Sequence, residues 1–323
     1  MCIQHIFIKF LLYATFLWYT EQEIDVMKSN GRVYPMTVQT IAFTKMQGTG
    51  NDFVVLDCVA HPEYLEFALN PALASKMCDR HYGVGADGLV LVLPSDIADI
   101  QMRIINSDGS EAEMCGNGIR CFARYVYEQQ LVKGAQMTVE TLAGVLVPRM
   151  IVDASGTVTG IEVDMGEPIL ERANIPMVGE GTAISEPILV ENKEFVITAV
   201  GMGNPHCVTF VDDLSQFPIE YWGPRMEVDA HFPRKTNVEY VQVVNDHEVI
   251  MRVWERGASV TMACGTGSCA TAVACAVNEK TGRHVLVHLD GGDLQIRWDE
   301  ESNHLFMTGP AETVFVGTYP WEV

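Results

Sequence analysis

Apolar residues recur along the chain with two different spacings, which predict a protein rich in strands with few helices. Segments of β-branched and aromatic residues, separated by turn-forming glycine, asparagine and proline, are typical of strands. Strands are predicted over 41–57 (with a turn at 48–52), 89–93, 100–106, 137–165, 194–211, 238–244 and 248–255, and near 284, 293, 303 and 312. A loop-rich connection is predicted from Gly166 to Pro187.

Helical spacing of apolar residues appears in three places, each with a plausible end signal. The last of these segments is apolar on nearly every side, so we expect that helix to be buried. Helices are predicted from Pro71 to about Gly83, from Cys115 to Gly134, and over Cys269–Val277 with an end at Gly282.

Two of the predicted helices begin with a cysteine in a glycine-rich turn. The first turn reads Met114-Cys115-Gly116-Asn117-Gly118, and the second reads Ala263-Cys264-Gly265-Thr266-Gly267. Unpaired N–H groups and the positive end of the helix dipole favour a thiolate there and offer donors to an anionic ligand. Glycine beside each cysteine lets a ligand approach the backbone closely. We therefore interpret both turns as candidate anion sites with reactive thiols.

The two cysteine turns belong to an internal repeat with a constant offset of 149 residues, the separation of 115 and 264. Such a repeat predicts duplicated domains related by approximate two-fold symmetry, with the two turns facing each other across a cleft. The matching positions are Met102-Arg103 with Met251-Arg252, Asn106 with Glu255, Ser110 with Ser259, Cys115-Gly116 with Cys264-Gly265, Gly118 with Gly267, and Ala123 with Ala272.

Two thiols on opposite sides of one carbon are suited to stereochemical inversion. One cysteine, as thiolate, removes a proton from an α-carbon, and the other, as thiol, delivers a proton to the opposite face. The helix N-termini stabilise the anionic intermediate through backbone N–H groups, so no cofactor is expected. The competing interpretation is a pair of structural thiols. Cys115 with Cys121, or Cys264 with Cys269, also allow a metal pair, although a buried helical thiol is commoner.

Composition narrows the class of partner. A formal net charge of -21 provides no basic stripe for phosphates, so a nucleic-acid partner is not expected. Nine cysteines without regular spacing fit a reduced, cytoplasmic protein better than a secreted disulfide framework. The apolar residues 1–20 resemble a signal or membrane segment weakly, since no basic region precedes them and no cleavage site follows. We expect residues 1–35 to be a disordered extension or a start-site artefact, and no membrane partner.

Seven motifs in collinear order resemble those of the diaminopimelate epimerase family. They run from about residue 41 to the C-terminus. The motifs are Gly50-Asn51-Asp52-Phe53, Asn106-Ser107-Asp108-Gly109-Ser110, Cys115-Gly116-Asn117-Gly118, Gly203-Asn204-Pro205-His206, Thr236-Asn237-Val238-Glu239, Glu255-Arg256-Gly257 and Ala263-Cys264-Gly265-Thr266-Gly267.

The resemblance implies an α+β fold of two pseudo-symmetric β-rich domains, each wrapped around a central helix, with the active site in the interdomain cleft. The implied limits are 36–163 for the first domain, 164–309 for the second, and 310–323 for a segment that completes the first. It further implies a homodimer and interconversion of LL- and meso-2,6-diaminopimelate in lysine biosynthesis, without pyridoxal phosphate or metal.

The resemblance also implies roles for individual residues. Cys115 and Cys264 would be the two acid/base groups, with Cys264 acting as base on the LL isomer. His206 and Glu255 would support catalysis. The substrate, a small molecule with two amino-acid ends, would bind to Asn51, Asn106, Gly116, Asn117, Asn204, Asn237, Glu255, Arg256, Gly265 and Thr266.

Two departures and two alternatives accompany this interpretation. Gly88 stands where some members carry a ligand-binding glutamine, so no side-chain contact is assigned there, and Thr266 replaces a serine. A proline or hydroxyproline racemase shares the paired-cysteine logic, but its first loop usually has histidine where this chain has Asn117. A thiol-disulfide redox protein is the alternative of a different class, and it predicts a stable disulfide between Cys115 and Cys264.

Overall fold

The computed structural model describes residues 38–322. Residues Ala42–Tyr319 form one compact unit. Of a second, small unit the structure describes only residues 38–41 and 320–322, which are the ends of two strands. The expectation for residues 1–35 lies outside the described residues.

The first half of the chain builds an eight-stranded sheet in the order β19-β1-β2-β3-β4-β6-β7, with β5 paired to β4. Its strands are β1 (Val38–Gly48), β2 (Asn51–Asp57), β3 (Gly88–Leu93), β4 (Ile100–Asn106), β5 (Glu111–Ala112), β6 (Val139–Thr141), β7 (Gly144–Leu146) and, from the end of the chain, β19 (Glu312–Glu322).

The second half builds an eleven-stranded sheet in the order β10-β11-β12-β13-β14-β16-β17-β18-β9-β8, with β15 paired to β14. Its strands are β8 (Arg149–Val152), β9 (Val158–Asp164), β10 (Glu186–Val190), β11 (Lys193–Gly201), β12 (Pro205–Phe210), β13 (Asn237–Asn245), β14 (Glu248–Glu255), β15 (Ser259–Thr261), β16 (His284–Leu289), β17 (Gly292–Trp298) and β18 (Leu305–Gly309).

The strand pairings repeat between the two sheets, as the sequence offset predicts. The pair β2·β3 is parallel and β3·β4 antiparallel, and the pairs β12·β13 and β13·β14 have the same directions. The register repeats too, since Val90 faces Ile104 and, 149 residues later, Glu239 faces Val253. The internal repeat is therefore structural, while the domain limits at 163 and 309 stay a prediction.

Each sheet packs against one long helix that follows a cysteine. The described helices are α1 (Pro71–Cys78), α2 (Gly116–Glu128), α3 (Ile219–Glu227) and α4 (Gly265–Val277), with 3-10 turns at Pro62–Glu66, Arg172–Asn174 and Leu214–Gln216. Ile119, Phe122 and Val126 of α2 are fully buried in the first core. Ala270, Val273 and Ala274 of α4 are fully buried in the second, which confirms the predicted buried helix.

The helix ends differ from the predicted ends for local reasons. Helix α1 stops at Cys78, before Gly83, because the Asp79 carboxylate accepts the N–H groups of His81 and Tyr82 in a turn. Helix α2 stops at Glu128, before Gly134, and Gln130 takes a left-handed φ of 57°. Helix α3 has no counterpart in the prediction, because Pro224 lies inside it and proline argues against a helix interior.

Candidate active site

The N-termini of α2 and α4 approach each other closely. Cys115 and Cys264 occupy the N-cap positions, both with extended backbone. A Cβ placed on Gly265 would lie 3.9 Å from the Cα of Gly116 and 3.0 Å from the sulfur of Met307. A Cβ on Gly116 would likewise lie 3.0 Å from the terminal methyl carbon of Met307, so Met307 packs tightly against the first glycine of both helices. Both helices aim their positive dipole ends at the same region.

A cavity of about 420 Å³ opens between the two helix starts. Both cysteines line it, so the two turns face each other as the repeat predicts. Nine of the predicted site residues lie around this cavity: Asn51, Cys115, Gly116, Asn117, Asn204, Glu255, Cys264, Gly265 and Thr266.

A second cavity of about 600 Å³ adjoins the first, because Asn51, Glu255 and Ala263 line both. Asn106 lines this second cavity together with Arg80, a residue that the sequence interpretation did not include. The guanidinium of Arg80 lies 2.7 Å from Asp52 and 2.8 Å from Asp87. The two adjoining cavities suit an elongated ligand with polar groups at both ends.

The Cys115 thiol lies among neutral hydrogen-bonding groups, one cation and one carboxylate. Its sulfur lies 3.6 Å from Oδ1 of Asn51, which also accepts from the Asn117 side chain. Asn51 in turn donates to the carboxylate of Asp87 at 2.5 Å, which fixes its orientation. Burial raises the pKa of the Cys115 thiol, and the charge of Glu255 adds to the rise. Backbone N–H groups of the first helical turn and the charge of Arg120 oppose it.

The Cys264 thiol has a different electrostatic environment. Its sulfur accepts the N–H of Gly267 at 3.4 Å and lies 3.5 Å from the hydroxyl of Thr266. Burial raises the pKa of this thiol well above its usual value, and the carboxylates of Glu255 and Glu239 raise it further. Cys264 therefore holds its proton more firmly than an ordinary cysteine.

A buried histidine and a buried glutamate lie behind Cys264. Nδ1 of His206 is 2.6 Å from Oε1 of Glu239, and its Nε2 is 2.8 Å from Oδ1 of Asn204. Both side chains of the pair are fully buried. A Cβ on Gly267 would lie only 2.8 Å from the same Glu239 oxygen, so the carboxylate packs against the first turn of α4. His206 thus contacts the cavity through Asn204.

Glu239 belongs to one of the seven sequence motifs, but the sequence predicts no role for it. Its second oxygen, Oε2, is buried and has no hydrogen-bond partner among residues 38–322. Burial raises the pKa of this carboxyl group. One feature of the sequence could have indicated that Glu239 lies at the site: it follows Asn237 by two residues in a strand that reaches the site.

Two predicted ligands, Asn237 and Arg256, line neither of the two cavities. Asn237 donates to the carbonyl of Pro205 and accepts the backbone N–H of Arg256, both at 2.9 Å. The exposed guanidinium of Arg256 donates to the carbonyl of Arg234 at 3.2 Å. Asn237 therefore ties two site loops together, and ligand contact by either residue stays a prediction.

The described residues place free thiols at the cavity and contain no cluster of metal-ligand side chains. The cysteines in this part of the chain, Cys115 and Cys264 included, are free thiols. Within residues 38–322, no group of three or more His, Cys, Asp or Glu side chains has the arrangement of a metal site. The same residues contain no helix that is long and apolar enough to cross a membrane.

Comparison with solved structures defines the fold class. The chain resembles a phenazine biosynthesis protein of the PhzF family from Bacillus anthracis, with a TM-score of 0.63 and 19% identity over 87% of this chain and 99% of that one. It also resembles a hydroxyproline epimerase from Agrobacterium vitis, with a TM-score of 0.62 and 13% identity over 88% of this chain and 93% of that one. The predicted fold of two pseudo-symmetric β-rich halves, each around a central helix, is thereby confirmed.

Comparison of sequences identifies the family. The profile of the diaminopimelate epimerase family matches residues 43–171 and 198–314. A diaminopimelate epimerase from Heliobacterium modesticaldum is 56% identical over 279 residues, which cover 86% of this chain and 99% of that protein. The chain therefore belongs to the diaminopimelate epimerase family, as the seven motifs predict.

Proposed function

We propose that this protein is an isomerase that interconverts LL- and meso-2,6-diaminopimelate by proton transfer between Cys115 and Cys264. The observation that carries the proposal is the pair of free thiols, one at each of two facing helix N-termini, on a single cavity of about 420 Å³. The family membership supplies the substrate. The reaction belongs to lysine biosynthesis, in which diaminopimelate is the intermediate acted on.

The proposed mechanism uses one cysteine on each face of the substrate α-carbon. Cys264, as thiolate, takes the α-proton of the LL isomer, and the thiol of Cys115 donates a proton to the opposite face. The electron pair left on the α-carbon is delocalised into the adjacent carboxylate until the second proton arrives. In the reverse direction the two cysteines exchange roles, so the reaction needs no pyridoxal phosphate and no metal.

The first turns of α2 and α4 hold the reacting carboxylate in this proposal. N–H groups at the start of a helix have no partner within the helix, and the dipoles of both helices favour negative charge at this place. We assign the carboxylate to donors of Gly116, Asn117, Gly265 and Thr266. Preorganised donors of this kind are each worth about 10²–10³ in rate in other enzymes, because the charge on the carboxylate grows as the proton leaves.

The second amino-acid end of the substrate extends into the adjoining cavity. Asn51 and Glu255 line both cavities, and Asn106 lines the second. Their amide and carboxylate groups match an ammonium and a carboxylate. Asn204, Asn237 and Arg256 complete the proposed set, with Arg256 on the distal carboxylate after movement of its exposed side chain.

His206 and Glu255 support the proton transfers without being the reacting groups. His206 lies between Glu239 and Asn204, within hydrogen-bond distance of both. Glu255 contributes a charge that raises the pKa of both thiols. We assign to both residues the control of the protonation state of the two cysteines.

Loss of a hydrogen from the α-carbon provides a direct test of the reaction. Reduced protein incubated with LL-diaminopimelate in heavy water, with no added cofactor, should incorporate deuterium at the α-carbon and form the meso isomer, as read by NMR and mass spectrometry. The substrate should exchange at one α-carbon per turnover. Proline under the same conditions is the matched control and should remain unlabelled. Absence of exchange with diaminopimelate, or equal exchange with proline, contradicts the proposed function.

Replacing each reacting thiol tests the assignment of the two cysteines. Cys115→Ser and Cys264→Ser should each lower kcat by about 10²–10⁴, because a serine hydroxyl is a far weaker acid and base at neutral pH. Cys121→Ala and Cys269→Ala are matched controls, since these buried thiols lie on the same two helices but line neither cavity. Circular dichroism should show native spectra for all four variants. Wild-type activity in either serine variant removes that cysteine from the mechanism.

We further propose a cytoplasmic homodimer in which β19 forms the contact. Within the described sheet β19 is an edge strand, and Val314, Phe315 and Val316 on it are 55, 45 and 73% exposed. An exposed apolar edge strand is a ready surface for a second chain. The free thiols support a reducing compartment, and recovery of the protein in a membrane or extracellular fraction contradicts that location.

Val316→Asp should convert the dimer to a monomer in sedimentation experiments, because a charge on this strand opposes burial. Val228→Asp is the control, since Val228 is also exposed, at 58%, but lies at the end of α3. A monomeric wild-type protein argues against this interface, and so does a Val316→Asp protein that remains a dimer.

A further inference from the structure

Arg120 is a fully buried cation directly beneath the Cys115 turn. Its Nη1 donates to the carbonyl of Gly116 at 3.1 Å, and its Nη2 donates to the hydroxyl of Thr49 at 3.0 Å. Nε donates to the carbonyl of Pro310 at 3.1 Å, and the Met307 sulfur lies 3.8 Å from Nη1. Each of these partners is electrically neutral.

No carboxylate among residues 38–322 forms an ion pair with Arg120. Other buried cations do have acidic partners, since Lys45 pairs with Asp52 and Arg172 pairs with Glu186. A guanidinium keeps its charge even when buried, and a buried charge without a counter-ion is costly. The described contacts therefore give the guanidinium hydrogen-bond acceptors but no counter-ion.

The repeat shows that this cation is present on one side of the site only. Position 269 of α4 corresponds to position 120 of α2 at the offset of 149, and it holds a neutral, fully buried Cys269. The opposite difference occurs in the strands. Glu239 of β13 lies against α4, and the corresponding residue in β3 is Val90. The two half-sites thus share a backbone design but differ in charge.

We propose that Arg120 is a positioning residue that makes the two cysteines unequal: in the substrate-free enzyme it holds the thiolate on Cys115, while Cys264 carries the proton. This assignment rests on the proposed function, in which both thiols transfer protons. The substrate-free form is the one in which Cys115 is the base, so the LL direction, in which Cys264 is the base, begins after Cys264 loses its proton and Cys115 gains one. Arg120 is too buried to touch substrate, so it acts through α2. The thiolate is the counter-ion that the guanidinium otherwise lacks.

Among the other charged or titratable groups around the thiols, Glu239 favours the same distribution. Glu255 faces both cysteines and therefore does not distinguish them. Glu239, with His206 behind it, faces Cys264, and burial with these two carboxylates raises the pKa of that thiol. Glu113 lines the cavity beside Cys115. The charge of Arg120 acts on the thiol of Cys121 first, then on those of Cys115 and Cys269, but burial raises the pKa of Cys121 to about 12, so that thiol keeps its proton.

The proposal predicts different pH profiles of alkylation for the two thiols. Full-length wild-type protein without substrate is treated with iodoacetamide at a series of pH values, and peptide mass spectrometry follows Cys115 and Cys264 separately. The midpoint of each profile reports the thiol pKa, whereas its height also depends on access. We expect the Cys115 midpoint to lie about one pH unit or more below that of Cys264. Equal midpoints, or the reverse order, overturn the proposal without any variant.

Substitution of Arg120 then tests the cause. Arg120→Met removes the charge but keeps a long side chain, so the Cys115 midpoint should rise by about one unit or more, and Cys264 should change little. Arg120→Lys keeps the charge and should restore most of the wild-type value. Arg124→Met is the control on the same helix, because Arg124 pairs with Glu128 and should leave both midpoints unchanged.

A purely structural role predicts a different result. Arg120 also ties Thr49 and Pro310 to α2, so its loss lowers stability in either case. If Arg120→Met folds, by circular dichroism, with both midpoints unchanged, the proposal is wrong. If the variant does not fold, the wild-type midpoints and the lysine variant decide. Failure of the proposed function appears separately, as absent deuterium exchange in a wild-type protein that still shows unequal midpoints.

Discussion

The close approach of two helix N-termini is the constraint on which the rest of this site depends. A carbon added to Gly265 would lie 3.9 Å from the Cα of Gly116, in van der Waals contact with it. This contact brings two dipole ends of the same sign together, which is unfavourable unless negative charge lies between them. A thiolate and a substrate carboxylate provide that charge. Binding of an anionic ligand therefore compensates for a repulsion that is built into the fold.

The duplicated fold explains how two thiols come to face one another, and the departures from duplication explain how they differ. Symmetric half-sites alone would give the two thiols equal proton affinities. Arg120 on one side and Glu239 on the other break that equality at positions where the repeat has Cys269 and Val90. Both charges are buried, so solvent does not screen them strongly. In the proposed mechanism, this difference prepares the substrate-free enzyme for the direction in which Cys115 is the base.

Much of the fold and site follows from the sequence, because repeats and turn motifs are local signals. The offset of 149 predicts the facing turns, and the strand directions repeat accordingly. The roles of Arg120 and Glu239 were not predictable, because burial of a charge depends on which strands cover it. Asp87 was missed for a similar reason, since it orients Asn51 from 36 positions away. Arg256 fits the family motif, but its side chain donates to the carbonyl of Arg234, and a sequence motif does not predict such a contact between distant residues.

The central claim, that the two sulfurs address opposite faces of one carbon, is tested most directly by a crystal structure of the reduced protein with bound diaminopimelate. We expect one α-carbon between the two cysteines, with the sulfur of Cys115 and the sulfur of Cys264 each within about 3–4 Å on opposite faces. The reacting carboxylate should lie at the start of α2 and α4. A ligand with both sulfurs on one face, or bound away from the helix starts, would contradict it.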